Sequence, residues 1–163
     1  MRILIALLSL ALAACSTTST VHQPLPPQAP LAHVYSYAFE NHSGEDIEGI
    51  AKLDRAIHAQ LLRAGLVAQT GEAADGRMQV ELTHYYVRSN AARFWAGILA
   101  GRDKIASRVT LRDAAGTKLG NFEVATTNLS AWGSTEGLME RHAEEIVARC
   151  KGLHDPSTHS DVN

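Results

Sequence analysis

Three segments in the middle of the chain alternate apolar and polar residues, and this alternation constrains the fold more than any other feature. The clearest runs from Met78 to Arg88, and KIASRVTLRD and KLGNFEVATTNL follow it with the same pattern. Because successive side chains of a β-strand point to opposite faces, each segment predicts a strand with one buried face. The turn sequence DAAGT between the last two segments indicates an antiparallel meander. The residues expected on the buried face are Met78, Val80, Leu82, Tyr86, Ile105, Val109, Leu111, Phe122 and Val124.

Two amphipathic helices are predicted, one before and one after the meander. The first follows SGED, a capping-box sequence that begins at Ser43, and it ends at RAGL, where Gly65 suits the left-handed position after a helix. The second spans Thr135 to Cys150, with Ser134 or Thr135 as its cap. Its apolar stripe has a residue at every fourth position: Leu138, His142, Ile146 and Cys150. We therefore expect Cys150 to be a small buried hydrophobe rather than a reactive thiol.

The order of these elements predicts the fold class. A strand, HVYSYAF, precedes the first helix, and a short strand, LVAQT, follows it. The pattern is that of an α+β domain, in which two helices pack on one face of a mostly antiparallel sheet of four to five strands. The other face of the sheet carries Glu81, Arg108, Thr110 and Arg112, so it is expected to meet solvent or a polar partner.

The N-terminal sequence MRILIALLSLALAAC has the layout of a secretory signal peptide. One positive residue, Arg2, precedes an apolar run that is too short to span a bilayer. The ending LAAC resembles the lipobox of bacterial lipoproteins, which implies that Cys15 is lipidated and that the signal is cut just before it. The alternative is an ordinary signal peptide with an incidental cysteine. Two or more acyl chains anchor a protein stably to a membrane.

The expected organisation has four parts. Residues 1–14 form the signal peptide, and residues 15–32 contain the lipidated cysteine and an extended tether rich in proline, serine and threonine. Residues 33–152 form one α+β domain, and residues 153–163 form a flexible tail. Because residue 16 is Ser rather than Asp, the resemblance to Gram-negative lipoproteins implies an outer-membrane protein that faces the periplasm.

No sequence motif for catalysis or for metal binding is present. The eight histidines are scattered, and the chain has no HExxH, CxxC, GxSxG, GxGxxG or P-loop sequence. We predict no catalytic residue, no metal site and no cofactor. The net charge of −2 and the absence of a basic stripe argue against nucleic-acid binding. His84 interrupts the apolar face of the clearest strand, where a hydrogen-bonded structural role is expected.

The chain resembles a family of Gram-negative lipoproteins, domain of unknown function 4410, in the order of its motifs. These are the helix end at Leu61 to Gly65, the glycine-spaced NAARFWAGILAG, the strand and turn at Val109 to Gly116, and the C-terminal helix. The resemblance covers most of residues 33–151 and departs from the usual pattern at Gly116-Thr117, where the turn is reversed. It implies a small α/β envelope domain, and it implies no catalytic residues because the family has no established activity.

The connection NAARFWAGILAGRDK between the first two meander strands is unusually apolar for a surface loop. Phe94 and Trp95 either cap the core or contact a partner, and the flanking Arg93 and Arg102 would pair with acidic groups or lipid phosphates. The expected function is a non-enzymatic, lipid-anchored envelope protein that binds or helps to assemble another envelope component. The alternatives are a cell-wall-directed periplasmic enzyme using His84 and a nearby carboxylate, or a self-assembling structural subunit.

Overall fold

The computed structural model describes residues 15–23, 34–44, 47–87, 103–128 and 134–154, which form a five-stranded sheet and two helices. The strands lie in the order β1-β5-β4-β3-β2 across the sheet. The elements along the chain are β1 (Cys15–Gln23), β2 (Tyr35–Asn41), α1 (Ile47–Arg63), β3 (Gly76–Tyr86), β4 (Asp103–Asp113), β5 (Lys118–Asn128) and α2 (Thr135–His154).

Three of the four strand pairs are antiparallel, and the α+β fold is confirmed. β3, β4 and β5 form the predicted meander, and β1 adds to its β5 side. β2 pairs in parallel with β3, and α1 makes the crossover that a parallel pair requires. The two helices contact each other, and α2 packs against β5. None of the described helices is long and apolar enough to cross a membrane.

The apolar face of the meander forms the core. Val80, Val109 and Phe122 lie side by side in register across β3, β4 and β5, and all three are fully buried. The helices cover this face with their apolar stripes, of which Leu53, Ile57, Leu61, Leu138 and Ile146 are fully buried. Each such side chain stabilises the fold by about 1.5–3 kcal/mol relative to an exposed one, so the core explains why the helices lie on this face.

The predicted alternation fails at the end of β3. The register shifts between Leu82 and His84, which is a β-bulge, and the side chains after it change faces. Tyr85 packs against the core, whereas Tyr86, expected to be buried, is 49% exposed. His84 is likewise exposed on the outer face and does not have the buried structural role expected from its position. One extra residue in the strand is enough to cause both errors.

The start and end of α1 follow the sequence in part. The helix begins at Ile47, and the Ser43 hydroxyl donates to Asn41 Oδ1 (3.0 Å). If Ser43 were the helix cap, Gly44 would be the first helical residue, but Gly44 has a positive φ of 140°. The prediction that Ser43 caps the helix is therefore wrong. Gly65 has a φ of 70°, as expected for the residue that ends the helix. The predicted strand LVAQT is reduced to a single bridge between Val67 and Tyr35.

The segment Cys15–Gln23 is a strand, although its composition predicted the beginning of a tether. It pairs antiparallel with β5, from Cys15 beside Asn128 to Gln23 beside Asn121. Threonine is β-branched and favours extended backbone, and Val21 gives this strand a side chain that packs against the core. The four prolines that suggested a tether all follow Gln23, outside the strand. The tether prediction is therefore wrong for residues 15–23.

α2 begins as predicted and inserts a histidine into the core. The Gly137 N–H donates to Ser134 Oγ (2.9 Å), which makes Ser134 the cap. His142 is fully buried, and its Nε2 and Nδ1 lie 2.9 Å from Ser107 Oγ and 3.0 Å from Thr126 Oγ1. A neutral imidazole satisfies both hydroxyls, because one ring nitrogen donates and the other accepts. Burial lowers the pKa of His142 from 6.5 to about 3.

The lowered pKa of His142 predicts a loss of stability below neutral pH. The unfolded histidine binds a proton as the pH falls below 6.5, whereas the folded one does so only near pH 3. The free energy of unfolding is therefore highest above about pH 7.5 and falls by about 2 kcal/mol between that pH and pH 5. Urea unfolding should show this loss in the wild type and not in His142→Gln. The exposed-site control His84→Gln should retain it, and an equal pH dependence in His142→Gln would contradict the account.

Candidate functional site

The outer face of the sheet, away from the helices, carries two rows of charge at right angles to the strands. The first row, the acidic band, consists of Glu40, Glu81, Arg108 and Glu123 on four neighbouring strands. These residues lie side by side in register, and Thr20 continues the row on β1. Sequence alternation predicted that Glu81 and Arg108 face outward, but their alignment depends on strand register, which the sequence does not display.

Ion pairs connect the acidic band. Arg108 Nε and Nη2 donate to Glu123 Oε1 at 3.0 and 2.8 Å, and Nη1 lies 3.6 Å from Glu81 Oε2. His22 Nε2 lies 3.6 Å from Glu123 Oε2. The hydrogen bond from Arg108 lowers the pKa of Glu123, and the same bond raises the pKa of Arg108. Because these side chains are partly exposed to solvent, the pairs add at most about 1 kcal/mol to stability.

The second row, the basic band, lies four residues further along the strands. Arg77, Arg112 and Lys118 occupy adjacent register positions on β3, β4 and β5. No acidic residue occupies a register position in this row of the described sheet, and Ser36 continues it on β2. Arg112 Nη1 donates to the Gly116 carbonyl at 3.0 Å, which directs its charge toward the end of the sheet. Like charges on facing positions of neighbouring strands destabilise a sheet.

A polar concavity of about 360 Å³ joins the two bands. Its floor is formed by Thr110 and Asn121, which are register partners between the bands. Asn121 Oδ1 is buried and accepts no hydrogen bond. The walls are Glu81, Arg108 and Glu123 on one side and Arg112 and Lys118 on the other. The concavity therefore presents opposite charges at its two ends and has few apolar contacts for a small ligand.

The described residues contain no group of three histidine, cysteine or acidic side chains that could hold a metal ion. The Ser107–His142–Thr126 cluster places hydroxyl groups next to a histidine, as catalytic pairs do, but it is enclosed in the core.

A second cluster joins β2 to α1: the Tyr37 hydroxyl donates to Asp54 Oδ1 at 2.8 Å. The Tyr37 ring stacks on His58 with centroids 4.8 Å apart. Burial is the main cause that raises the pKa of Tyr37, so this hydroxyl stays protonated.

The residues predicted for partner contact, Arg93, Phe94, Trp95 and Arg102, lie outside the described residues. The connection that contains them leaves the sheet after Tyr86 and returns at Asp103. Tyr86, Lys104, Thr127 and Ser16 form one continuous row across β3, β4, β5 and β1. The predicted lipidation site and the two ends of this connection therefore lie at the same end of the sheet.

Cys150 has the environment expected from its position in the apolar stripe of α2. It forms no disulfide with a described residue and is fully buried. Burial raises the pKa of its thiol from 9.0 to about 12. Because the thiolate is the reactive form of cysteine, this position does not support covalent chemistry.

The family described as Domain of unknown function (DUF4410) matches residues 42–131, more than half of the chain. The chain therefore belongs to this family, as the order of its motifs predicted. A comparison with curated proteins gives no match.

Solved structures of PelC from Paraburkholderia phytofirmans have a similar fold. A dodecamer of a PelC variant is 13% identical with a TM-score of 0.55, and the match covers 82% of this chain and 97% of that chain. Another PelC dodecamer is 11% identical with a TM-score of 0.54, covering 83% and 96% respectively. At these identities the similarity shows the shared fold alone.

The burial of Cys150 predicts a large difference in thiol reactivity between the folded and unfolded chain. In a Cys15→Ser variant, Cys150 is the sole thiol, and its raised pKa reduces the thiolate fraction at pH 8 by about 1,000-fold. Labelling with a chromogenic disulfide reagent should be slow in buffer and complete within seconds in urea. Native labelling within about tenfold of the unfolded rate would contradict the buried position.

Proposed function

We propose that this protein is a lipid-anchored protein of the cell envelope that acts by associating with copies of itself and has no catalytic role. The observation that carries the proposal is the position of Cys15 at the first residue of β1, an edge strand of the sheet. A lipid on this residue would hold the folded domain directly at the membrane, without an intervening spacer. The lipobox-like LAAC sequence supplies the chemistry, and acyl chains contribute about 0.8 kcal/mol per buried CH₂.

The membrane proposed here is the outer membrane, with the domain in the periplasm, because Ser follows Cys15. The connection with Arg93, Phe94, Trp95 and Arg102 starts and ends at the same end of the sheet as the anchor. Three strand spacings, about 15 Å, separate Tyr86 from Ser16 along their shared row. The contacts proposed for these four residues are therefore with the membrane surface or with a neighbour held on it.

Self-association is supported by two features. Within the part of the chain that the structure describes, one face of the sheet carries no helix, and that face is charged and accessible, with the Arg108 side chain 45% exposed. The fold is shared with PelC, whose structures are described as dodecamers. A surface that carries both signs of charge suits association with a partner that also carries both signs.

The catalytic alternative has little support in the described residues. This alternative uses His84, whose row on the outer face continues with Ala106 and Ala125. A general base needs a reacting partner within hydrogen-bond distance and is usually oriented by a neighbouring polar group. Alanines at the adjacent register positions provide neither, so association is the function that this geometry favours.

Substitution of Cys15 tests the anchor and the association together. The Cys15→Ala chain, secreted behind a general cleavable signal peptide in place of residues 1–14, should be soluble in the periplasm and carry no palmitate. It should still sediment as an oligomer at micromolar concentration, because the proposed association surface lies on the folded domain. Metabolic labelling with an alkyne palmitate, cell fractionation and sedimentation equilibrium provide the three measurements.

The matched control is Ser16→Ala with the native signal, which should remain lipidated and membrane-bound. Palmitate on the Cys15→Ala chain would contradict lipidation at this residue. A strictly monomeric soluble chain would contradict the self-association half of the proposal.

A further inference from the structure

We propose that the outer face of the sheet joins two copies of this chain about a twofold axis, with the acidic band of each copy against the basic band of the other. This inference rests on the self-association proposed above and names the surface that produces it. The two bands run parallel to each other across the sheet, and Thr110 and Asn121 lie between them.

The charge pattern of this face is self-complementary. The acidic band has a net charge of −2, from three glutamates and Arg108, and the basic band has a charge of +3. On both β3 and β4 the bands are four residues apart, about 13 Å. A twofold axis can run across the strands above the row that lies between the two bands and contains Thr110. Rotation about this axis places the outer face of a second copy against that of the first and reverses the direction of its strands. Each acidic band then meets a basic band, and each strand lies over its own copy.

The basic band gives a reason for such a partner. Arg77, Arg112 and Lys118 occupy adjacent strands, where their mutual repulsion costs the isolated domain stability. A facing row of carboxylates offsets this repulsion and shields both rows from water. Arg108 neutralises only part of the negative charge of its own band, so an excess of carboxylate groups remains to face the partner.

The area of the face fits a specific dimer. Five strands at spacings of about 4.8 Å, and up to 11 residues long, present roughly 700 Å² on each copy. Standard protein–protein interfaces bury about 600–1,000 Å² per partner, so the face by itself falls within that range. A partner surface that carries only negative charge fits this face less well. Such a surface would attract the basic band but would also meet the acidic band, which lies about 13 Å away along the strands.

The twofold arrangement is compatible with the proposed anchor. The axis runs across the strands, from β1 toward β2, so the β1 edges of both copies lie on the same side of the dimer. If that side faces the bilayer, the two Cys15 residues lie at opposite ends of the dimer and both reach the same membrane.

Charge reversal in one band at a time provides the test. The acidic-band variant is Glu81→Lys with Glu123→Lys, and the basic-band variant is Arg77→Glu with Arg112→Glu. Each should weaken self-association of the full chain in detergent by at least about tenfold, because like-charged bands then face each other. An equimolar mixture of the two variants should associate again, since every facing pair of bands is then opposite in charge. Sedimentation velocity with one variant fluorescently labelled measures each of these results.

The control is Glu144→Lys with Lys151→Glu, which reverses two exposed charges on α2 and should leave association unchanged. Far-UV spectra confirm that each variant is folded. If the wild type associates but the mixture does not recover, the sheet-face interface is wrong while the proposed self-association stands. If the wild type is monomeric, both fall. A monomeric wild type that binds polyglutamate, and loses that binding in the basic-band variant, would assign the face to an anionic polymer instead.

Discussion

The antiparallel pairing of β1 with β5 is the interaction on which the rest of this structure depends. Its ladder extends the meander to a five-stranded sheet and makes Cys15 a structured residue at one corner of the domain. It also brings His22 next to Glu123, which completes the polar concavity. Without this pairing, β5 would be an unpaired edge strand. Residues 15–23 would then be only an unstructured link between Cys15 and the domain.

The two faces of the sheet divide the work between stability and recognition. The inner face buries rows such as Val80, Val109 and Phe122 beneath the helices, where hydrophobic burial fixes the register of the strands. The same register fixes the outer face, because each inner row determines the row next to it. The charge bands are therefore held by the core, although their own ion pairs contribute little energy. A precise pattern of weak surface charges is better suited to choosing a partner than to stabilising the domain.

Much of the fold is predictable from local periodicity, and the remainder depends on long-range pairing. The meander and both helices follow from apolar spacing, and the same spacing places His142 in the apolar stripe of α2. Those partners, Ser107 and Thr126, come from distant strands, so their hydrogen bonds have no sequence signal. The bulge after Leu82 is one extra residue without glycine or proline to mark it. The composition of residues 15–23 does not predict β1, because serine and threonine are common in both tethers and edge strands, and only the pairing with β5 distinguishes the two.

Hydrogen exchange in β1 tests this account most directly, because the anchor position and the twofold arrangement both require that strand. In the full chain, about half of the amides in residues 16–23 should be protected, since alternate N–H groups of an edge strand point to its neighbour. The amides of Thr70, Gly71, Ala73 and Ala74, in an exposed loop outside the helices and strands, provide the internal reference for unprotected exchange. Protection of alternate β1 amides by at least about 100-fold over that loop is the predicted result. Exchange of all of them at the rate of the loop would contradict the account.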